Sequence, residues 1–147
     1  MSTEGRIKAM NLRAKKNEKY RHTSLEMETS THFPVLMKLF NKTRGPILEL
    51  GSGMFSTPLL HWLCFEEKRE LFTWERHKHY LDFAKKFETE WHHVQHIPHV
   101  EDDYITDDRF SIVFIDHTPK KPRTRGDDAL LFKDKADFIV LHDAGVD

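Results

Sequence analysis

A glycine-containing loop between a strand and a helix is the part of this sequence best suited to hold a ligand. Residues 47–50 are mostly apolar and predict a buried strand, which runs into Gly51 and Gly53. These glycines permit a tight turn and the close approach of a ligand. A helix is then expected with Thr57 as N-cap and Pro58 at its first position. Because N–H groups at a helix start attract anions, the loop predicts a site for a carboxylate or similar group.

An acid at the end of the second predicted strand fits the same site. Glu75 lies 24 residues after Gly51, where a doubly wound sheet places the acid that accepts hydrogen bonds from ribose hydroxyls. The alternative is a surface glutamate paired with Arg76 or Lys78. Ser56 stands where the third glycine of a dinucleotide-binding loop would fall, which disfavours an NAD-dependent oxidoreductase.

Two further acids follow apolar strands later in the chain. Asp116 comes directly after residues 110–115, and Asp143 follows the strand predicted at 138–141. Parallel strands would deliver both acids to the sheet edge that carries the glycine loop. Carboxylate oxygens suit Mg²⁺ or Ca²⁺, but two such ligands alone are weak evidence of a metal site. The alternatives are that Asp116 acts as a base or orients a ligand amino group, and that Asp143 caps a turn.

The elements that must position these residues alternate between short apolar runs and amphipathic stretches. The predicted strands are residues 47–50, 71–74, 94–97, 110–115 and 138–141. The predicted helices are 58–65, 77–91 and 127–133, preceded by an amphipathic N-terminal helix within residues 28–40. This alternation predicts an α/β fold, a doubly wound and mainly parallel sheet with helices on both faces.

These motifs resemble those of class I S-adenosylmethionine-dependent methyltransferases, a Rossmann-like family. The resemblance rests on the segment ILELGSG at residues 47–53 and on the strand ending in Glu75, and it extends from about residue 45 to the C-terminus. Phe55 departs from the pattern at the usual third glycine. The resemblance implies a sheet of order 3-2-1-4-5. Family members normally add two strands after the fifth, which this chain is expected to lack. The resemblance implies S-adenosyl-L-methionine as cofactor, held by Glu49, Gly51, Ser52, Gly53, Thr57, Glu75 and Asp103.

The acids at the strand ends are similar to those of catechol-type small-molecule O-methyltransferases. That similarity implies that Asp116 and Asp143 bind a divalent metal such as Mg²⁺, with His117 and His142 in or beside the coordination sphere. It also implies that Asp116 or Lys120 handles the proton of the acceptor. Two positions depart from this pattern, since Ala144 stands where a third ligand is common and Pro119 where the lysine is common.

Length and composition bound the remaining expectations. The 147 residues predict one domain at 28–147 after a flexible arm at 1–27. A single cysteine, Cys64, excludes an internal disulfide, and the chain shows no apolar run suited to a signal peptide or membrane span. A cytoplasmic protein is therefore expected. The net charge of -1 disfavours nucleic acid as a partner.

The function predicted from these observations is methyl transfer to a small-molecule acceptor. A non-catalytic cofactor-binding or assembly module is the first alternative, and an NAD-dependent oxidoreductase is the second. The cationic loop at residues 120–126 is interpreted as solvated in preference to a grip on an acidic group of the acceptor. Association of two copies through an exposed fifth strand is expected, because an unpaired apolar edge promotes pairing.

Overall fold

The computed structural model describes residues 31–99 and 108–143. Five parallel strands form one sheet in the order β3-β2-β1-β4-β5. They are β1 (Ile47–Leu50), β2 (Leu71–Glu75), β3 (His92–His96), β4 (Phe110–Ile115) and β5 (Ala136–Leu141). This is a Rossmann-like α/β fold, and it confirms the predicted strand order and direction. Asp103 and the predicted arm at 1–27 lie outside the described residues.

Within the described ranges, four helices accompany the strands. They are α1 (Phe33–Lys42), α2 (Ser56–Glu67), α3 (Lys78–Ala84), which continues as a 3₁₀ turn at Lys85–Phe87, and α4 (Arg125–Leu131). The third helix is shorter than predicted, because side chains at and after the 3₁₀ turn form hydrogen bonds with β3. There Thr89 Oγ1 accepts a hydrogen bond from the His92 amide at 3.0 Å, and Lys85 Nζ donates to the Val94 carbonyl at 2.7 Å.

Two apolar cores lie on opposite faces of the sheet. One joins side chains of α1 and α2 to the sheet, and the other joins the α4 region to it. The first contains Leu36, Phe40, Ile47, Leu60, Cys64, Leu71, Ile112 and Phe114; the second contains Leu48, Leu50, Trp74, Ile97, Phe110, Val113, Ile115 and Phe132. Every residue of β4 is buried, as a central strand covered on both faces requires.

A buried arginine fastens α1 to the amino edge of the sheet. Arg69 is 4% exposed and donates to the carbonyl of Gly45 at 2.9 Å and to Ser111 Oγ at 2.7 Å. Its guanidinium also reaches carbonyls at the end of α1 and lies 4.3 Å from the ring centre of Phe40. The predicted N-terminal helix is confirmed, with His32 as its N-cap and Pro34 in its first turn.

The fifth strand lies at one edge of the sheet. Within the described residues β5 pairs only with β4, and Phe138 on it is 40% exposed. Association of two copies through this strand stays a prediction. None of the helices in the described ranges combines the length and the apolar character that a membrane crossing requires.

Candidate functional site

A cleft of about 590 Å³ opens at the carboxyl edge of the sheet, where the strand order reverses between β1 and β4. Open α/β sheets bind their ligands at this switch point. The volume lies within the range of small-molecule sites. Its walls come from the glycine loop, the ends of β2, β4 and β5, and the start of α1.

The glycine loop is held between two neighbouring strand ends. Gly51 has φ +88°, and a β-carbon added to it would lie 2.5 Å from the amide nitrogen of His117. Only glycine fits such a position without strain. Gly53 carries no such backbone requirement, but its amide donates to Thr57 Oγ1 at 3.0 Å and so braces the loop against α2.

Thr57 is not the N-cap that the sequence predicted. The helix begins at Ser56 with Phe55 as N-cap, and the Thr57 hydroxyl turns inward to Glu49 at 2.9 Å. Glu49 is 0% exposed, and Thr73 on β2 also donates to it, at 2.8 Å. A buried carboxylate needs such donors, which explains why Thr57 serves the acid and not the helix end. Burial raises the pKa of Glu49 to about 7.

Glu49 and Thr57 therefore lie beneath the loop and do not line the cleft. Their predicted part in cofactor binding is indirect, through the shape and charge of the loop above them. Gly51, Ser52 and Gly53 do line the cleft, as does Glu75.

Glu75 accepts a hydrogen bond from the glycine loop. It is 2% exposed; one carboxylate oxygen accepts from the Ser52 amide at 2.7 Å, and the other accepts from the His77 amide at 2.6 Å. The alternative of a surface ion pair is wrong. Arg76 donates to the Thr118 carbonyl at 3.1 Å, and Lys78 pairs with Asp82 at 2.9 Å. Glu75 thus joins the end of β2 to the glycine loop.

The predicted metal pair comes together with a third group. Asp116, His142 and Asp143 each offer a ligand atom, and these atoms lie within 4.8 Å of one another. His142 Nδ1 is 2.9 Å from Asp116 Oδ1, and its Nε2 is 3.6 Å from Asp143 Oδ1. His142, directly before Asp143, is thus the third candidate ligand. The family pattern has its third ligand directly after the second acid, at the position of Ala144.

Arg125 accounts for how two carboxylates can approach each other here. Its side chain is 14% exposed, lines the cleft and reaches Asp116 Oδ1 at 3.5 Å. It donates to the carbonyl of His117 at 2.8 Å and to the carbonyls of Asp116 and His142. The guanidinium compensates the negative charge, so the proximity of Asp116 and Asp143 does not by itself imply a metal.

The interpretation of residues 120–126 as a solvated run is wrong for two of its cations. Arg125 binds the strand ends, and Arg123 donates to the buried Asp128 at 2.8 Å. His117 Nε2 contacts the other oxygen of Asp128 at 2.7 Å, so His117 serves this pair and not the Asp116 group. A local signal was available: the capping box of Thr124 and Asp127 starts α4 at Arg125.

Lys120 and Asp116, the two predicted catalytic residues, line different pockets. Lys120 lines a second, smaller pocket of about 20 Å³, together with Trp74, Ile97 and His117, whereas Asp116 lines the cleft. His117 lines both pockets, so the two adjoin. Trp74 is 8% exposed and belongs to the core.

His32 is a cleft residue for which the sequence held no signal beyond position. It is 5% exposed, and neither ring nitrogen has a hydrogen-bond partner among the described residues. Its ring centre lies 4.7 Å from that of His142 and 4.9 Å from that of Phe114. Burial, followed by the nearby His142, lowers the pKa of His32 to about 4, so the ring is neutral at pH 7.

Comparison of the chain with protein-family models, with curated proteins and with solved structures finds no significant match. Its fold and the geometry of the cleft are therefore the grounds on which a function is assigned.

Proposed function

We propose that this chain binds S-adenosylmethionine in the cleft and transfers its methyl group to a small-molecule acceptor. The observation that carries the proposal is the contact of Glu75 with the glycine loop, where the Glu75 carboxylate accepts a hydrogen bond from the Ser52 amide at 2.7 Å. A nucleoside ligand needs an acid at the end of β2 for its ribose hydroxyls and a loop that lets it approach the backbone. Glu75, Gly51 and Gly53 supply both.

The part of the cleft formed by β4 and β5 supports a reaction with an acceptor. Asp116, His142 and Asp143 line the cleft at the ends of these two strands. Transfer of a methyl group from a sulfonium to an acceptor oxygen leaves a neutral thioether and releases the proton of the acceptor. The Asp116 carboxylate, in contact with His142 Nδ1 at 2.9 Å, is the group placed to receive that proton. Alignment of acceptor and sulfonium supplies much of the remaining acceleration.

A divalent cation is a further part of the proposal. Asp116, Asp143 and His142 would hold it, and it would orient the oxygen of the acceptor. Two carboxylates suit Mg²⁺, whereas the imidazole adds a nitrogen donor that first-row transition metals favour. Mn²⁺ accepts both kinds of donor, so it joins Mg²⁺ as a candidate.

The proposal is tested by calorimetry with S-adenosylhomocysteine, the demethylated product. We expect the wild type to bind it and Glu75→Gln to bind about ten- to hundred-fold more weakly, because a charge-assisted hydrogen bond is worth roughly 1.5–3 kcal/mol. Glu70→Gln is the matched control, since Glu70 is an exposed acid paired with His93 at 2.6 Å. No binding to the folded wild type, or equal binding by all three proteins, would refute the proposed site.

The two alternative functions are tested with the same wild-type protein. NAD in place of S-adenosylhomocysteine tests the oxidoreductase, which the buried Ser56 at the third glycine position disfavours. Turnover of S-adenosylmethionine with a panel of phenolic and other hydroxyl acceptors distinguishes an enzyme from a module that only binds the cofactor.

A further inference from the structure

A continuous chain of hydrogen-bonded polar groups runs through the core beneath α2. Glu49 Oε2 is 2.8 Å from Thr73 Oγ1, and Thr73 Oγ1 is 2.9 Å from His92 Nε2. His92 Nδ1 is in turn 2.9 Å from His61 Nδ1. These four side chains come from β1, β2, β3 and α2, so the chain exists only in the folded protein.

Burial along this chain leaves one opening to solvent. Glu49, Thr73 and His92 are each 0% exposed, whereas His61 is 8% exposed and packs beside Trp62, which is 61% exposed. At the other end, Glu49 accepts from Thr57, whose hydroxyl accepts from the Gly53 amide of the cleft loop. The chain therefore reaches from the cleft to the outer face of α2.

The donor inventory of the side chains allows two arrangements of the protons. When Glu49 is ionised, Thr73 donates to it, so His92 must donate from Nε2 and accept at Nδ1. His61 then donates from Nδ1. When Glu49 is protonated it donates to Thr73, which donates to His92 Nε2, so His92 carries its proton on Nδ1 and His61 on Nε2. In both arrangements Thr57 keeps an acceptor, because Glu49 Oε1 lies 3.1 Å from its hydroxyl.

We propose that Glu49, Thr73, His92 and His61 form a proton relay between the loop of the cleft and the outer face of α2. A proton that binds His61 Nε2 releases the Nδ1 proton of His61 to His92. His92 passes its Nε2 proton to Thr73, and Thr73 passes its hydroxyl proton to Glu49. The sum is one proton gained at Glu49, with both imidazoles still neutral and each switched to its other tautomer. The relay itself requires no ligand, and only its coupling to the cleft rests on the proposed function.

The surrounding charges set the pH at which the switch is expected. Burial raises the pKa of Glu49 to about 7, and Asp116 acts in the same direction, while Cys64 on α2 stays a neutral thiol. Burial lowers the pKa of His92 to about 4, and it also lowers that of His61. The pKa values of both rings therefore lie below that of Glu49. The other ionisable groups that face His92 are His93 and Glu88.

The test is nitrogen NMR of ¹⁵N-histidine-labelled, full-length protein without ligand. Pyrrole-like and pyridine-like ring nitrogens have distinct shifts. We expect His92 to be protonated on Nδ1 and His61 on Nε2 below a midpoint near pH 7, and both to exchange tautomer above it. His93 is the internal control, because its side chain is 44% exposed, pairs with Glu70 and lies outside the relay. Tautomers of His92 and His61 that stay constant across this range would overturn the relay.

Two variants of Thr73 test whether its hydroxyl connects Glu49 to His92. Thr73→Val removes it, so the tautomer switch should disappear, whereas Thr73→Ser should restore the switch at a similar midpoint. A switch that persists in folded Thr73→Val would exclude the relay. If the valine variant does not fold, the wild-type titration and the serine variant still decide.

Coupling to the cleft is measured by repeating the titration with S-adenosylmethionine. A bound sulfonium should favour ionised Glu49 and move the midpoint of the switch to lower pH. If calorimetry shows that the ligand binds and the midpoint stays fixed, the loop is not coupled to the relay. If the ligand does not bind but the tautomers switch, the relay stands and the proposed function fails.

Discussion

Gly51 and His117 are in backbone contact: a β-carbon on Gly51 would lie 2.5 Å from the amide nitrogen of His117 and 2.6 Å from its α-carbon. The adjacent Asp116 amide donates to the Leu50 carbonyl at 2.8 Å, which ties the end of β4 to the end of β1. Glycine at position 51 thus lets the ends of β1 and β4 approach each other, and it also leaves room for a ligand.

The first prediction follows from this contact. Gly51→Ala should lower the free energy of unfolding by roughly 2–4 kcal/mol, because it adds left-handed backbone strain to an overlap with neighbouring backbone. Gly53→Ala is the control, since its β-carbon would meet only Ser56 Oγ, at 3.2 Å. Urea denaturation of both variants measures the difference, and equal losses would contradict the special role of Gly51.

The second prediction concerns Arg125, which binds the carbonyls at the ends of β4 and β5. Arg125→Met keeps much of the side-chain volume but removes every donor, and it should cost about 2–4 kcal/mol of stability because buried carbonyls lose partners. Hydrogen exchange of the His142 amide, which donates to Ile115 at 3.1 Å, should accelerate. Arg109→Met is the control: that arginine is 66% exposed, and its pair with Asp137 is worth at most about 1 kcal/mol. Unchanged exchange at His142 would show that Arg125 does not hold the strand ends.

The third prediction tests the metal. Millimolar Mg²⁺ or Mn²⁺ should raise the melting temperature of the wild type, because an ion bound only by the folded state stabilises it. Asp116→Asn and Asp143→Asn should each abolish the increase, whereas Asp137→Asn on β5 should keep it. Differential scanning fluorimetry with and without chelator measures the effect. A wild-type melting temperature indifferent to both ions would leave Asp116 as a base or ligand contact only.

The fourth prediction concerns the pH dependence of stability. The folded-state pKa of Glu49 is raised from 4.5 to about 7, so between these values the folded protein binds more protons than the unfolded chain. Its contribution to stability is therefore present at low pH and falls as pH rises through this window. Relative to wild type, Glu49→Gln should gain roughly 2–3 kcal/mol between the two ends of the window.

Chemical denaturation of wild type and variant at several pH values gives that difference directly. The exposed Glu70 offers the control, because Glu70→Gln also removes one carboxylate but leaves the buried Glu49 in place. The opposite contribution of the buried His92 is common to all three proteins and cancels in the comparison. A difference that does not change with pH would show that Glu49 titrates normally.

Most of the sheet could be predicted from the sequence, because its signals are local. Apolar runs bounded by glycine, proline and polar residues mark the strands, and their alternation with amphipathic stretches implies a parallel direction. Once that direction is known, Glu75, Asp116 and Asp143 must meet at one edge, which the structure confirms. Boundaries were less predictable, as the short α3 shows, since side-chain contacts of Lys85 and Thr89 decide where that helix ends.

The sequence by itself determined where the strands lie, their parallel direction, the glycine loop and the edge where the acids gather, since these depend on residue type and local pattern. Only the tertiary structure decided that Thr57 turns to Glu49, that Arg125 binds the strand ends and that His61 meets His92. Those contacts join residues on different elements, as His61 and His92 do across 31 positions. A buried polar group takes whichever partner the packed core brings within about 3 Å, and no periodicity in the chain encodes that choice.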